Sequence, residues 1–257
     1  MKQNLTRKQL RNNILKDLKR VSSKERATKL QGFFKTGKGE YGEGDVFVGI
    51  RTPKIRKISK KYQKDLTLVD LDFFLQNKVH EYRLFALISL TYLYEETKGI
   101  EDVIEQEQRK EGIFNYYLTK RHWINNWDLV DVSAPKIVGE FLKDKEREKG
   151  SGEEGNILYD LIRSDNLWDQ RIAIVSTYAF IKEGGFKEIL DFSKLLMNYK
   201  HDLIHKALGW MLREVGKKDK CILKTFLDDY ANKMPRTMLR YSIERLDDKE
   251  KQKYLNL

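Results

Sequence analysis

Apolar residues recur at three- and four-residue spacing along most of the chain, the pattern of amphipathic helices, and no convincing strand run interrupts it. Residues 5–35 carry Leu10, Ile14, Leu15 and Leu18 at that spacing. The stretch Thr36–Gly49, TGKGEYGEGDVFVG, breaks it with five glycines and is predicted to be a loop. It is not a phosphate-cradling loop, because no GK[ST] ends it and no strand precedes it. Thr52–Pro53 then predicts a helix start, with Thr as N-cap and Pro at the first helical position. Further helices are predicted over Asp70–Leu75, Tyr82–Tyr94, Ile100–Leu118, Trp127–Leu142, Ile157–Arg163, Trp168–Ile181, Phe186–Asn198, Leu203–Val215, Lys220–Asn232 and Pro235–Leu246.

Taken in pairs, these helices show a weak repeat in the second member: YRLFALISL, DLVDVSAPKIV, QRIAIVSTYAF, HKALGWMLREV and RTMLRYSIERL. The starts lie roughly 32–46 residues apart, around the period of helix-pair solenoids. Such a repeat stacks its second helices side by side along one concave surface. Residues 143–156, KDKEREKGSGEEGN, read as a polar inter-repeat loop rather than a boundary, since the repeat resumes at once. The expected architecture is all-α, one α-solenoid domain over residues 1–257.

Composition narrows the function classes. No apolar run approaches the roughly 18–20 residues of a membrane span. The opening MKQNLTRKQLRNNILKDLKR has no apolar core and reads as a basic amphipathic helix, so no secretion signal is expected. One cysteine, Cys221, cannot form an internal disulfide and fits a reducing cytosol. Fifty Lys and Arg against 39 Asp and Glu give a net charge of +11, which attracts polyanions, nucleic acid first among them. Solubility alone would also account for it.

Of the four histidines, only His201 and His205 share a helical face, and HDLIH lacks the Glu of a zinc-protease helix. No metal and no cofactor is therefore expected. What stands out instead is an aromatic–charge pattern on the second helices. Trp127 and Asp131 are at i, i+4 in NNWDLVD; Arg171 follows Trp168 by three; Arg213 lies a turn after Trp210. If the helices stack, Trp127, Asp131, Arg171 and Trp210 share the concave face. Cleaving an N-glycosidic bond builds positive charge on the sugar, which a carboxylate stabilises. Tryptophan faces attract a cationic sugar or an alkylated base, and arginine grips a flanking phosphate. The same residues serve equally as core packing and as the Asp–Arg ladder that HEAT repeats use between helices.

In these segments the chain resembles the DNA alkylation repair family of HEAT-like glycosylases, the AlkD type. The resemblance runs through FFKTGKGEYGEGDVFVGIRTPKIRK, HEYRLFALISL, WINNWDLVD, SDNLWDQRIAI and ALGWMLREVGK, in that order. It implies a helical solenoid that clamps duplex DNA in a basic groove; the chain is expected to be a monomer, cytoplasmic and nucleoid-associated. It implies excision of cationic purines such as 3-methyladenine and 7-methylguanine, leaving an abasic site. By motif position Trp127 and Trp210 would be aromatic walls against the lesion's deoxyribose. Asp131 would be the carboxylate that stabilises the oxocarbenium, and Arg171 the arginine at the DNA backbone. Phe33 stands nearest to the family's N-terminal aromatic, often Tyr. Arg51, Lys54, Arg56, Lys57 and Arg213 would be further DNA contacts, although a solvated helix face explains a basic run as well. The alternative to an enzyme is a HEAT-like module that binds DNA or protein without excising a base.

Overall fold

The structure is a computed structural model that describes residues 6–149 and 156–257. Among the described residues every regular element is helical, and the one β feature is an isolated bridge between Val46 and Val79. The all-α expectation holds. No described helix is long and apolar enough to cross a membrane. The chain divides into two compact units, Met1–Ser133 and Ala134–Leu257.

The first unit is built around one helix. α1 (Arg7–Arg20) and α2 (Lys24–Phe33) precede the Gly-rich loop; α3 (Thr52–Tyr62), α4 (Leu68–Leu75), α5 (His80–Thr97), α6 (Val103–Lys120) and α7 (Trp127–Ala134) follow it. Every residue of α5 from His80 to Thr91 is buried, which is the behaviour of a helix covered on all sides. α3, α4 and α6 pack on it, and α1 packs on α3. Thr52 is already the first helical residue of α3, with Arg51 as N-cap and no side-chain cap bond, so the predicted start is displaced by one position.

The second unit carries the repeat. The predicted helix Trp127–Leu142 is broken after α7 by a wider π turn, Pro135–Gly139, before α8 (Glu140–Lys149). Pro135 has no N–H to give to the carbonyl four residues back, and a π turn absorbs that loss. α9 (Ile157–Ile162), α10 (Leu167–Ser176), α11 (Tyr178–Ile181), α12 (Lys187–Leu195), α13 (Asp202–Lys218), α14 (Lys220–Tyr230), α15 (Arg236–Ser242) and α16 (Asp248–Leu255) complete it. The π turn packs on α10, α10 on α13 and α13 on α15, so the segments expected to be second helices do stack in succession. α13 and α15 approach closely because position 209 is glycine: a Cβ there would lie 2.6 Å from the Met238 carbonyl oxygen.

The first half of the polar stretch 143–156 is not the loop its composition suggests. Residues 143–149 continue α8, and positions 150–155 lie outside the described residues. Lys143 holds the helix with charge, bridging Glu140 at 2.8 Å and Glu183 at 2.9 Å.

Candidate active site

α7 begins at Trp127, and three side chains hold its first turn. Asn126 is wholly buried; its carbonyl oxygen accepts the Trp127 N–H at 2.9 Å while its amide donates to Asp45 at 3.0 Å. Asp128 places a carboxylate at the helix N-terminus, where backbone N–H dipoles favour negative charge. It meets His80 Nε2 at 2.9 Å, and His80 Nδ1 meets Asp45 at 3.0 Å. Arg83, one turn along α5, donates to Asp45 and, at 2.9 Å, to Asn125.

With a carboxylate at each ring nitrogen, both nitrogens of His80 must carry hydrogen, so the ring is an imidazolium. Burial would push its pKa down. The charge of Asp128 and hydrogen bonds to Asp128 and Asp45 outweigh burial and the repulsion of Arg83, and raise it to about 9. Burial likewise pushes Asp45 up, but the His80 hydrogen bond, the Arg83 charge and Asn126 hold it below its ordinary value.

The same imidazolium starts an aromatic stack. Phe47 lies over His80 with ring centres 4.5 Å apart, and Phe34 lies over Phe47 at 4.9 Å. Trp127 is parallel to Phe34 within 9°, at 5.1 Å. Phe33 meets Trp127 edge-on at 6.0 Å and is 65% exposed. Trp127 itself is half-buried, and Asp131, one turn on, is half-buried as well. Trp127, Asp131 and Phe33 therefore belong to one neighbourhood of the first unit.

The Gly-rich loop is tied down to make this possible. Glu81, buried on α5, accepts the backbone N–H groups of Val48, Gly49 and Ile50 at 3.0, 2.7 and 3.1 Å. Gly49 has φ +78°, and a Cβ there would lie 2.1 Å from the Ser23 carbonyl oxygen, so only glycine fits. The loop leads into α3, where Ile55, Ile58 and Tyr62 face inward and Lys54 and Lys57 outward. Arg51 is exposed and Arg56 half-buried. Among the described residues none of these four cations has a carboxylate partner.

The second unit treats its predicted residues differently. Arg171 on α10 is buried at 4% exposure and donates to the Leu203 carbonyl oxygen at 2.6 Å. That bond links α10 to the start of α13, the geometry of an inter-helix ladder. Trp210 on α13 is half-buried and donates through its indole N–H to Glu214 at 3.2 Å. Arg213 is ion-paired to Glu244 and lies 3.6 Å from Glu214. His201 caps α13, its Nδ1 accepting the Leu203 N–H at 3.2 Å.

Sequence reasoning missed Asp45, His80, Glu81, Arg83, Asp128 and Phe34. A signal existed for two of them: His80 and Arg83 at i, i+3 are polar residues opening an otherwise apolar helix.

Known proteins are similar to this chain over nearly its whole length. A family model described as DNA alkylation repair enzyme matches residues 14–246. A solved structure titled "Predicted DNA alkylation repair enzyme from Enterococcus faecalis" aligns with a TM-score of 0.65 at 18% identity, over 88% of this chain and 97% of that one. AlkD2 from Streptococcus mutans aligns with a TM-score of 0.53 at 19% identity, over 94% of this chain and 100% of that one. At these identities the solved structures speak to the fold. Among curated proteins no match was found.

Proposed function

Because this chain belongs to the DNA alkylation repair enzyme family, we propose that it is a monofunctional DNA N-glycosylase releasing cationic N3- and N7-methylated purines from duplex DNA. The observation that carries this reading is the ordered, half-buried Trp127, stacked on Phe34, with Asp131 one helical turn beyond it. An indole face and a carboxylate so spaced suit a deoxyribose that becomes cationic as its base departs.

The chemistry needs little from the protein beyond electrostatics. The C1′–N bond breaks and its electron pair goes to the base, which leaves neutral. Water adds to C1′ and gives up one proton, leaving an abasic site. Asp131 stabilises the sugar's charge and orients that water. A base that is already positive needs neither acid catalysis nor a metal or cofactor. Phe33, exposed beside Trp127, lies against the DNA near the lesion.

Arg51, Lys54, Arg56 and Lys57 contact phosphates, which their lack of carboxylate partners among the described residues supports. Trp210, Arg171 and Arg213 enter the proposal through the resemblance: Trp210 as a second aromatic wall, the two arginines as backbone contacts. The expectation of one continuous repeat domain over 1–257 belongs with it. A second reading, a module that binds DNA or protein without excision, is favoured by one observation: Arg171 and Arg213 already have partners inside the protein.

Incubation with duplex DNA carrying 7-methylguanine or 3-methyladenine tests the choice. Free methylated base and an abasic strand are expected. Tight DNA binding with no release from either lesion would leave the binding module.

A further inference from the structure

The buried His80 cluster has a use that packing does not require. A core of this size closes with apolar side chains, and breaking a buried charge pair is costly, so two carboxylates around one imidazole need a reason. Their positions supply it. Asp45 lies in the Gly-rich loop, His80 opens α5, and Asp128 is the second residue of α7. Of the two oxygens of Asp128, Oδ2 meets His80 at 2.9 Å, while Oδ1 is buried and has no hydrogen-bond partner among the described residues. His80 is therefore what holds this carboxylate. The flanking residues are Asn126, which caps α7, and Trp127, which stacks through Phe34 and Phe47 back onto the His80 ring.

We propose that His80 is a positioning residue: hydrogen-bonded through both ring nitrogens, it couples the Gly-rich loop to the first turn of α7 and so sets the place of Trp127 and Asp131. Its activity consequence rests on the glycosylase reading; its structural consequence does not. The charged groups facing the ring are Asp45 from the loop, Asp128 from α7 and Arg83 from α5, while neighbouring Glu81 is turned to the backbone of residues 48–50. Loss of the ring proton leaves one of the two carboxylates facing a bare nitrogen lone pair. α7 then keeps only the Asn126–Asp45 bond to the loop, and Trp127 loses the fixed base of its stack. The folded ring titrates at about 9, with the charge of Asp128 the largest of the effects that raise it. Trp127 and Asp131 therefore stay ordered at neutral pH and loosen on the alkaline side.

The test follows two signals against pH in wild type, His80→Gln and Asp128→Asn. One is the emission of Trp127, isolated as the difference from Trp127→Phe. The other is single-turnover release of 7-methylguanine from duplex DNA, with DNA affinity measured alongside. In wild type both signals should fall together through about pH 9. Asp128→Asn should move both falls to lower pH by about one unit or more, since it removes an opposite charge from the ring. His80→Gln should abolish the fall in emission and slow release by about ten-fold or more at neutral pH, with DNA affinity changed less than about two-fold. Emission and release unmoved by Asp128→Asn, or a His80→Gln protein matching wild type in both, would overturn the proposal. Should His80→Gln fail to fold, Asp128→Asn decides. Should wild type release no base at all, the glycosylase reading fails and the emission signal alone decides the role of His80.

Discussion

Trp127 and Trp210, the two aromatic walls that the family resemblance implies, are supported by different means. Trp127 is parallel to Phe34, which continues through Phe47 to a buried imidazolium held by two carboxylates. Trp210 has a single Glu214 hydrogen bond, and its neighbour Arg213 spends its charge on Glu244. The first is fixed by a stack of rings that ends on a buried, mutually hydrogen-bonded cluster. The second donates its indole N–H to Glu214, a carboxylate that also faces Arg213 and Lys217. The Trp127 ring is therefore tied to the core by stacking, whereas the Trp210 ring is tied to one carboxylate on its own helix.

Removing one partner from the buried cluster should have the largest effect. Asp45→Ala strands the positive charge of Arg83 and removes one of the two carboxylates on His80, and should cost about 3–5 kcal/mol of stability by denaturant unfolding; a loss under about 1 kcal/mol would show that the cluster is not what holds the loop. Trp127→Ala should cost about 3 kcal/mol, against about 1–2 kcal/mol for Trp210→Ala, because only the former sits in a continuous stack. Equal losses would break the contrast between the two tryptophans.

Stability should also depend on alkaline pH through His80. Its folded pKa, about 9, lies above the ordinary 6.5, so the folded chain binds this proton more tightly than the unfolded one. The contribution is full below about 6.5 and is lost as pH rises through about 9. The melting temperature of wild type should fall across that window, and that of His80→Gln should fall less.

The smallest effects concern DNA binding. Replacing Lys54 and Lys57 together with Gln should lower the salt slope of DNA affinity by about 1–2, since each phosphate contact contributes about 0.9. Arg213→Gln should change the slope by less than about 0.5, because its charge is already neutralised within the protein. A reversed order would place the DNA on the α13 side chains instead of α3.

The legible part of this molecule is whatever repeats locally. Apolar spacing of three and four marks α5 in the first unit and α10, α13 and α15 in the second, where α10 packs on α13 and α13 on α15. The stretch 143–149 was misread because charge, not apolar spacing, holds it: Lys143 pairs with Glu140 and Glu183, and no periodic apolar face announces a helix. At the candidate site, Trp127 and Asp131 were visible because i, i+4 spacing is a local fact. The Asp45–His80–Asp128 link was not, since its members stand 35 and 48 residues apart and meet only once the loop folds onto α5 and α7. Phe33 was visible from its motif, but Phe34, the ring that stacks on Trp127, was not, because adjacent aromatics give no clue to which one turns inward.

The central claim is that α7 carries a carboxylate placed for glycosidic cleavage, and the direct measurement is release of 7-methylguanine from duplex DNA by wild type and Asp131→Asn side by side. Free base from wild type, reduced about 100-fold or more in the mutant with DNA affinity largely kept, is the predicted result. Equal release by both proteins would contradict the role given to Asp131.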